Sequence, residues 1–330
     1  MTTNQIESKK KYLVILAGSP RGGLKTWKSL FKYVVNHLNA DLAICTTDNY
    51  IGKNILFENA NYKWIMENPD NFEQYYYDNF EGNWKEYLLK GKELGLYESG
   101  LIHFVFKDFI YKNFKEILTQ YEYIIYSRFD QYYTDYHPKF SEDFIYIPEG
   151  EDYFGICDRH VAFKSNKAKE YFSIIDYINS KKAIDEIPKF PNCESVYKQH
   201  LMAKGLLTYV KRHKRVSFTA ALQGDSTNWR VPEYKVFLSN GLSIKYPDEF
   251  LQAMKNKYSN NLFLLNFIND FPLNIYYLFL IFKINLSAIL KKEKKLICEQ
   301  HGKYFLSQRY NKLSTCPQCE NLNDLEISEI

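Results

Sequence analysis

The sequence predicts an α/β fold built on a Rossmann-type sheet, and three adjoining segments carry that expectation. Tyr12-Leu-Val-Ile-Leu-Ala17 is a continuous apolar run ending in Gly18-Ser-Pro-Arg-Gly-Gly23. Such a run reads as a strand buried on both faces and followed by a glycine turn. Trp27, Leu30, Phe31, Val34, Val35 and Leu38 then recur at helical spacing, which gives an amphipathic helix. Asp41-Leu-Ala-Ile-Cys-Thr46 is the next strand, closed by Thr47-Asp48. Strand, glycine turn, helix, strand is the opening of a parallel sheet.

Further elements follow the same logic. Residues 54–98 are polar and aromatic with little clear period. Residues 99–118 are helical by pattern, with Ile102, Phe106, Phe109, Ile110 and Phe114 on one face. A third core strand spans 121–126 and a fourth 143–148, with a short one at Val161-Ala-Phe163. Helices are expected at 168–179 and 193–204, around a proline-marked loop at 188–191. Residues 207–210 and 215–219 look extended, and 236–245 resembles a hairpin around Asn240-Gly241.

Composition narrows the function. The chain has 330 residues, 45% hydrophobic and 25% charged, an ordinary globular balance with room for one large domain and a small appendage. A net charge of +4 is no argument for nucleic acid, which is not an expected partner. The start of the chain is polar and carries no secretory signal. Six cysteines are too few for a disulfide scaffold and fit a cytoplasmic protein. The apolar stretch 262–290 contains a charge-free run, Phe271–Phe282, of only 12 residues, short of the roughly 20 that cross a bilayer. A packed or interfacial helix is expected there.

Three motifs carry chemistry. Gly18-Ser-Pro-Arg-Gly-Gly-Leu-Lys-Thr26 sits where nucleotide phosphates bind in such sheets, with Arg21 or Lys25 to offset their charge. It fails the Walker A pattern because Leu24 separates Gly23 from Lys25; a plain strand-to-helix turn is the other reading. Ser127-Arg-Phe-Asp130 follows the third strand, so Asp130 is placed on the ligand side of a parallel sheet. Asp130 fits a divalent cation that screens a diphosphate, with Arg128 sharing that work; it equally fits an Arg–Asp pair that fixes the loop. Pro148-Glu-Gly-Glu-Asp-Tyr-Phe-Gly-Ile-Cys-Asp-Arg159 is rich in carboxylates. Asp158 there could orient hydroxyls or accept a proton, or pair with Arg159 as a structural ion pair. Among the scattered histidines only His160, next to this motif, is a site candidate.

Taken in order, the glycine turn, the Arg-x-Asp element and the Pro-x-Gly-x-Asp-x-Gly-x-x-Asp-Arg element resemble a family of bacterial and viral GT-A-like glycosyltransferases of capsule, lipopolysaccharide and viral glycan synthesis. The resemblance covers residues 12–250. It implies a Rossmann-type mixed sheet flanked by helices, a nucleotide-sugar donor, and a glycan or lipid-linked acceptor. It places Gly18 and Arg21 near the nucleotide phosphates, Asp48 near the base or ribose, and Asp130 at Mn2+ or Mg2+. Asp158 would lie near the transferred sugar or acceptor. Two alternatives remain. The glycine turn also resembles the phosphate loop of sulfotransferases, though Gly22-Gly-Leu-Lys25 lacks that loop's hydroxyls; and a fold of this kind can serve a non-catalytic binding protein.

The C-terminal part has its own signature. Cys298-Glu-Gln-His301 and Cys316-Pro-Gln-Cys319 present two ligand pairs, each with two intervening residues. Cys298, His301, Cys316 and Cys319 therefore fit a closed, structural tetrahedral Zn2+ site on a small hairpin. Lys291, Lys292, Lys294 and Lys295 beside the apolar segment suit peripheral contact with the inner face of an anionic membrane. The expected layout is a transferase domain at 1–255, an apolar and basic helical segment at 256–295, and a zinc knuckle at 296–330.

Overall fold

The computed structural model describes residues 10–69, 71–94, 98–150, 152–189, 191–222, 236–237, 242–259, 295–298, 302–305 and 327–329. Its centre is a seven-stranded mixed sheet. In chain order the strands are β1 (Lys10–Ala17), β2 (Asp41–Thr47), β3 (Tyr62–Met66), β4 (Tyr121–Ser127), β5 (Gln131–Tyr133), β6 (Ile145–Pro148), β7 (His160–Lys164) and β8 (Val210–His213). The spatial order is β3-β2-β1-β4-β7-β6-β8, with β5 outside this sheet. Strands β1 to β4 pair in parallel, while β7 runs antiparallel to both β4 and β6.

The continuous apolar runs follow from burial on both faces. In β1, Leu13, Ile15 and Ala17 enter one core and Tyr12, Val14 and Leu16 the other. The second core lies under α1 (Gly23–Leu30), which continues through a π turn at Phe31–Val35 into α2 (Asn36–Leu38). The short α3 (Ile55–Asn59) packs on the same side through Leu56 and Phe57. The first core is covered by α4 (Phe72–Asn79), α5 (Trp84–Leu94) and the long α6 (Glu98–Leu118). It also takes in α7 (Ala168–Phe172), α8 (Ile174–Ile178), α9 (Lys181–Asp185) and α10 (Cys193–Ala203). Helix α10 starts at a capping box, in which Asn192 and Ser195 satisfy each other's backbone amides.

A smaller sheet of order β10-β11-β9-β5 joins β5 to β9 (Ser217–Leu222), β10 (Val236–Phe237) and β11 (Leu242–Ile244). The expected hairpin pairing is present, Val236 against Ile244, while Asn240 and Gly241 lie outside the described residues. Helix α11 (Pro247–Lys257) packs on this sheet. It crosses the boundary expected at residue 255. Strands β12 (Lys295–Cys298), β13 (Gly302–Phe305) and β14 (Ile327–Glu329) form a separate antiparallel sheet in which Cys298 pairs with Gly302.

Three expectations need correction. Residues 207–210 look extended in sequence, but Leu207–Tyr209 form a 3-10 turn and only Val210 enters a strand, β8. Residues 54–98 hold β3, an edge strand whose alternating Tyr62, Trp64 and Met66 are masked by aromatic neighbours in the sequence. The single helix expected at 168–179 is two short ones, because Ser173 (φ −80°, ψ 37°) leaves helical geometry between them.

Behind β7 lies a buried histidine cluster. His137 Nε2 is 2.9 Å from His160 Nε2, while His160 Nδ1 lies 3.2 Å from both the Tyr133 and Ser127 hydroxyls. His137 Nδ1 faces the Pro138 carbonyl at 2.8 Å and His213 Nδ1 the Lys214 carbonyl at 2.9 Å. A carbonyl only accepts, so both donate from Nδ1, and His160 must then donate from Nε2 to His137. Burial pushes His137 down to about 3, His213 to about 4 and His160 well below its ordinary value. His200 is likewise pushed down to about 3.

These histidines stay neutral when folded and take up protons near pH 6.5 when unfolded. Stability should therefore fall as pH drops below about 6.5, by up to roughly 1.4 kcal/mol per pH unit for each proton. Glu194, raised to about 7 by burial and by Asp158, works in the opposite direction between about pH 7 and 4.5 and offsets one such proton. Urea unfolding at pH 7.5, 6 and 5 measures the slope; unchanged stability across that range would refute the assignment.

Candidate active site

Parallel strands direct ligands to their carboxyl ends, at the point where the chain order reverses. Here the chain runs from β1 to β2 and β3, then returns to β4 on the other side of β1. The switch point therefore lies between the turns that follow β1 and β4. Gly18 and Arg21 occupy the first turn; Arg128 and Asp130 occupy the second. Asp48 follows β2 on the same edge, exposed, and accepts from the Asn68 amide at 3.0 Å.

The first turn is shaped by glycine. Gly22 (φ 93°) precedes the first residue of α1 with no side chain to cap it. Gly23 (φ 66°) packs so closely on β9 that a Cβ would lie 2.1 Å from Leu222 Cδ1. Arg21 is held through its backbone, its carbonyl accepting from Trp27 Nε1 at 3.0 Å. The amide end of α1 thus faces the switch point beside a guanidinium, an arrangement suited to an anion.

In the second turn Arg128 grips Asp130 with two parallel bonds, Nε to Oδ1 at 2.9 Å and Nη2 to Oδ2 at 2.5 Å. Asp130 is 2% exposed. Burial pulls its pKa up, but Arg128, then Lys245 and Arg21, hold it below the ordinary carboxylate value. The Asp130 carbonyl accepts from the Ala220 amide at 2.8 Å, which docks the small sheet over this edge.

The third motif enters from β7. Ser127 pairs with His160, and the Arg128 amide donates to the Arg159 carbonyl at 3.2 Å. That pairing brings Asp158 to the same edge. Asp158 feels the charge of the adjacent Arg159, the partner that the alternative reading gave it. Arg159 pairs with Glu194 at the start of α10 and with Glu249 of α11 at 3.0 Å. Burial raises the Asp158 pKa, and His103, Lys107, Arg159 and Arg128 more than reverse that. His160 is engaged in the histidine cluster, with His137, Tyr133 and Ser127.

Residues that the sequence reading missed complete the site. His103 and Lys107 reach it from α6, Cys193 and Glu194 from α10, and Lys245 and Tyr246 from the β11–α11 turn. Burial and Arg128 push Lys245 down to about 8, and burial does the same to Lys107. The available signals were a histidine and a lysine four residues apart in an apolar helix, and an acid just after a helix cap. Charge patterning along single elements does not say that they meet.

Among the described residues no three His, Cys, Asp or Glu side chains gather so as to hold a metal ion. Both Asp130 oxygens are already engaged by Arg128, and three cations surround it. Of the four expected zinc ligands, His301, Cys316 and Cys319 lie outside the described residues, and only the backbone of Cys298 is described. The apolar run 271–282 also lies outside them; no helix among the described residues is long and apolar enough to cross a membrane. No family model matches the chain, and no curated protein matches it.

Proposed function

We propose that the chain is a GT-A-like glycosyltransferase that moves a sugar from a nucleotide-sugar donor to a glycan or lipid-linked acceptor. One observation carries the reading. At the switch point, Arg128, Lys245 and Arg21 stand around the single carboxylate of Asp130. Cations exceed carboxylates at the amide end of a helix, where a departing nucleoside diphosphate would find its countercharge.

Arg21 and the α1 amides bind the diphosphate in this reading. Arg128, fixed in place by Asp130, stabilises the charge that develops as the glycosidic bond breaks. Asp48 and Asp158 face the nucleoside and the sugar from opposite sides of that centre. The Asp130 surroundings fit a cationic cradle rather than a protein-held divalent ion, and no step here runs through Mn2+ or Mg2+.

A calorimetric panel of nucleoside diphosphates and nucleotide sugars, with and without Mn2+, identifies the donor. Adenosine 3′,5′-bisphosphate in the same panel tests the sulfotransferase alternative, and sugar transfer separates an enzyme from a binding protein. Arg21→Ala should weaken diphosphate binding about tenfold or more, as expected for one hydrogen bond to a charged group, with little change in Tm. Unchanged affinity would leave the turn purely structural.

Anion binding should also recharge Lys245, which burial and Arg128 hold at about 8. Its pKa rises on binding, so the complex takes up a proton near pH 8 to 9 and affinity declines as pH climbs through that range. Titrations in two buffers of different ionisation enthalpy measure the uptake, and Lys245→Arg should abolish it. Proton release on binding, or uptake that survives in Lys245→Arg, would rule the linkage out.

The C-terminal donor set, three thiolates and an imidazole, suits a closed structural zinc. The β12–β13 pairing supports this by setting Cys298 against Gly302, the residue that follows His301 in the sequence. The basic, apolar stretch before it suits peripheral attachment to a membrane. Metal analysis of the full chain should find about one equivalent of zinc, and less than half an equivalent would exclude the site.

A further inference from the structure

The loop that leads into β7 turns left-handed at two consecutive residues that are not glycine, Tyr153 (φ 40°) and Phe154 (φ 67°). A residue with a Cβ enters that region only at a cost. Earlier in the same loop, at residue 150, the left-handed position is filled by glycine (φ 77°). Tyr153 recovers its cost by packing. Its ring centroid lies 5.2 Å from that of Tyr246 and 5.4 Å from the Arg159 guanidinium carbon. Phe154 does not recover it through burial, since it is 80% exposed, the most exposed large apolar side chain among the described residues. An exposed apolar side chain is ordinary by itself. One that is turned outward by a strained backbone is not, because strain of this kind collects at ligand sites.

The turn is held from three elements. Asn192, ahead of α10, donates to the Tyr153 carbonyl at 2.8 Å. Arg212 of β8 grips the Asp152 carboxylate at 3.0 and 2.7 Å, and that carboxylate also takes the Cys157 amide at 2.9 Å. The exposed ring is therefore presented on a fixed support.

Its place follows from the sheet. Strand β7 runs antiparallel to β4, so the loop before β7 stands at the carboxyl edge of β4. The Arg128 amide donates there to the Arg159 carbonyl at 3.2 Å. Arg159 in turn lies against both Tyr153 and Tyr246, the latter next to Lys245. Phe154 is thus at the rim of the site, on the β7 side. Gly18, Arg21 and Asp48 follow β1 and β2, on the other side of β4 in the strand order. A ligand over Phe154 extends away from the residues assigned to the nucleotide.

We propose that Phe154 is an acceptor-binding residue whose exposed ring stacks on the apolar face of a pyranose. A pyranose presents a face of C–H groups and a rim of hydroxyls. The flat phenyl ring suits the face. The partly exposed Asp152–Arg212 pair supplies planar acceptors and donors for the rim. A lipid chain would need a continuous apolar patch, whereas this turn is held by Asp152, Asn192 and Arg212. That the sugar is an acceptor rests on the glycosyltransferase reading; that a sugar ring binds here does not.

The test uses the full chain with labelled phenylalanine rings, the Phe154 signal being assigned from Phe154→Tyr. Maltotetraose, cellotetraose, mannotetraose and chitotetraose are the probes. At least one should shift the Phe154 ring signal. Phe154→Gly should weaken that sugar roughly tenfold or more, the loss of one stacked ring, while Phe154→Trp retains it. Phe154→Gly also removes the backbone strain, so its Tm should stay level or rise by about 2 °C. No shift with any of the four sugars overturns the proposal, as does undiminished affinity in Phe154→Gly. A Tm that falls in Phe154→Gly makes the ring a packing residue and overturns it as well. Loss of binding to anionic vesicles in Phe154→Gly, with no sugar shift in the wild type, would assign the ring to a membrane surface instead.

Kinetics separate this proposal from the reading beneath it. With a transferable nucleotide sugar, Phe154→Gly should raise the KM for the acceptor about tenfold or more and leave the KM for the donor in place. Transfer with an unmoved acceptor KM sinks the role of Phe154 and spares the glycosyltransferase reading. Sugar binding that depends on Phe154, without turnover of any nucleotide sugar, keeps the pyranose site and removes that reading.

Discussion

Glu249 is 0% exposed and receives Arg159 and Arg215, each at 3.0 Å, together with the Thr219 amide at 2.8 Å. Arg159 continues the chain to Glu194. A carboxylate this deep cannot stand alone, and removing one partner of such a pair typically costs about 3–5 kcal/mol. The chain ties α11 to β9, to the residue before β7, and to the first turn of α10. Those are the segments that carry Lys245, Asp158 and Glu194. The site is therefore assembled by a requirement for charge pairing among elements far apart in sequence, and not by any one motif.

The same requirement explains why Arg128 and Arg159 differ in use. Arg128 turns back on Asp130 two residues away, a local pair that stiffens the turn after β4 and keeps a guanidinium at the edge of the site. Arg159 is spent on two distant acids and a stack with Tyr246, its guanidinium carbon 4.7 Å from the ring centroid. His103, Lys107, Arg159 and Arg128 together hold the Asp158 carboxyl below its ordinary pKa.

The parts of this arrangement legible in sequence are those set by local pattern. Tyr12–Ala17, Asp41–Thr46 and Tyr121–Tyr126 could be read as buried strands because both faces need apolar side chains, and the Gly18–Gly23 turn because α1 starts there. From these, the switch point and the positions of Arg21, Arg128 and Asp130 follow. Reversed pairing of β7 with β4 could not be read, since Val161-Ala-Phe163 looks the same in either direction. Without that reversal, nothing placed Asp158 next to Arg128. Lys107 was hidden for a different reason: its helix is apolar enough to be taken as plain core, and the rings around its ammonium come from Tyr126, Tyr171 and Tyr197. The Arg–Asp reading of the second turn as a loop-fixing pair and its reading as charge stabilisation turn out to be compatible, since the first orients the guanidinium that the second would use.

The loop ahead of β7 shows what holding Asp158 there requires. Tyr153 (φ 40°) and Phe154 (φ 67°) are consecutive non-glycine residues in the left-handed region, a conformation that costs of order 1–3 kcal/mol per residue. Asp152 opposes this strain from below. Its carboxylate receives Arg212 at 3.0 and 2.7 Å and the Cys157 amide at 2.9 Å, and its carbonyl receives the Gly155 amide at 2.6 Å. Asn192, which caps α10, donates to the Tyr153 carbonyl at 2.8 Å. Gly155 packs so tightly on α10 that a Cβ would lie 2.0 Å from the Glu194 carbonyl. The strained turn is what lets residues 155–157 press against the start of α10 and so sets Asp158 and Glu194 side by side. Two carboxyls in that proximity cannot both ionise freely, and Glu194, raised to about 7 by burial and by Asp158, is the one that takes up the proton first.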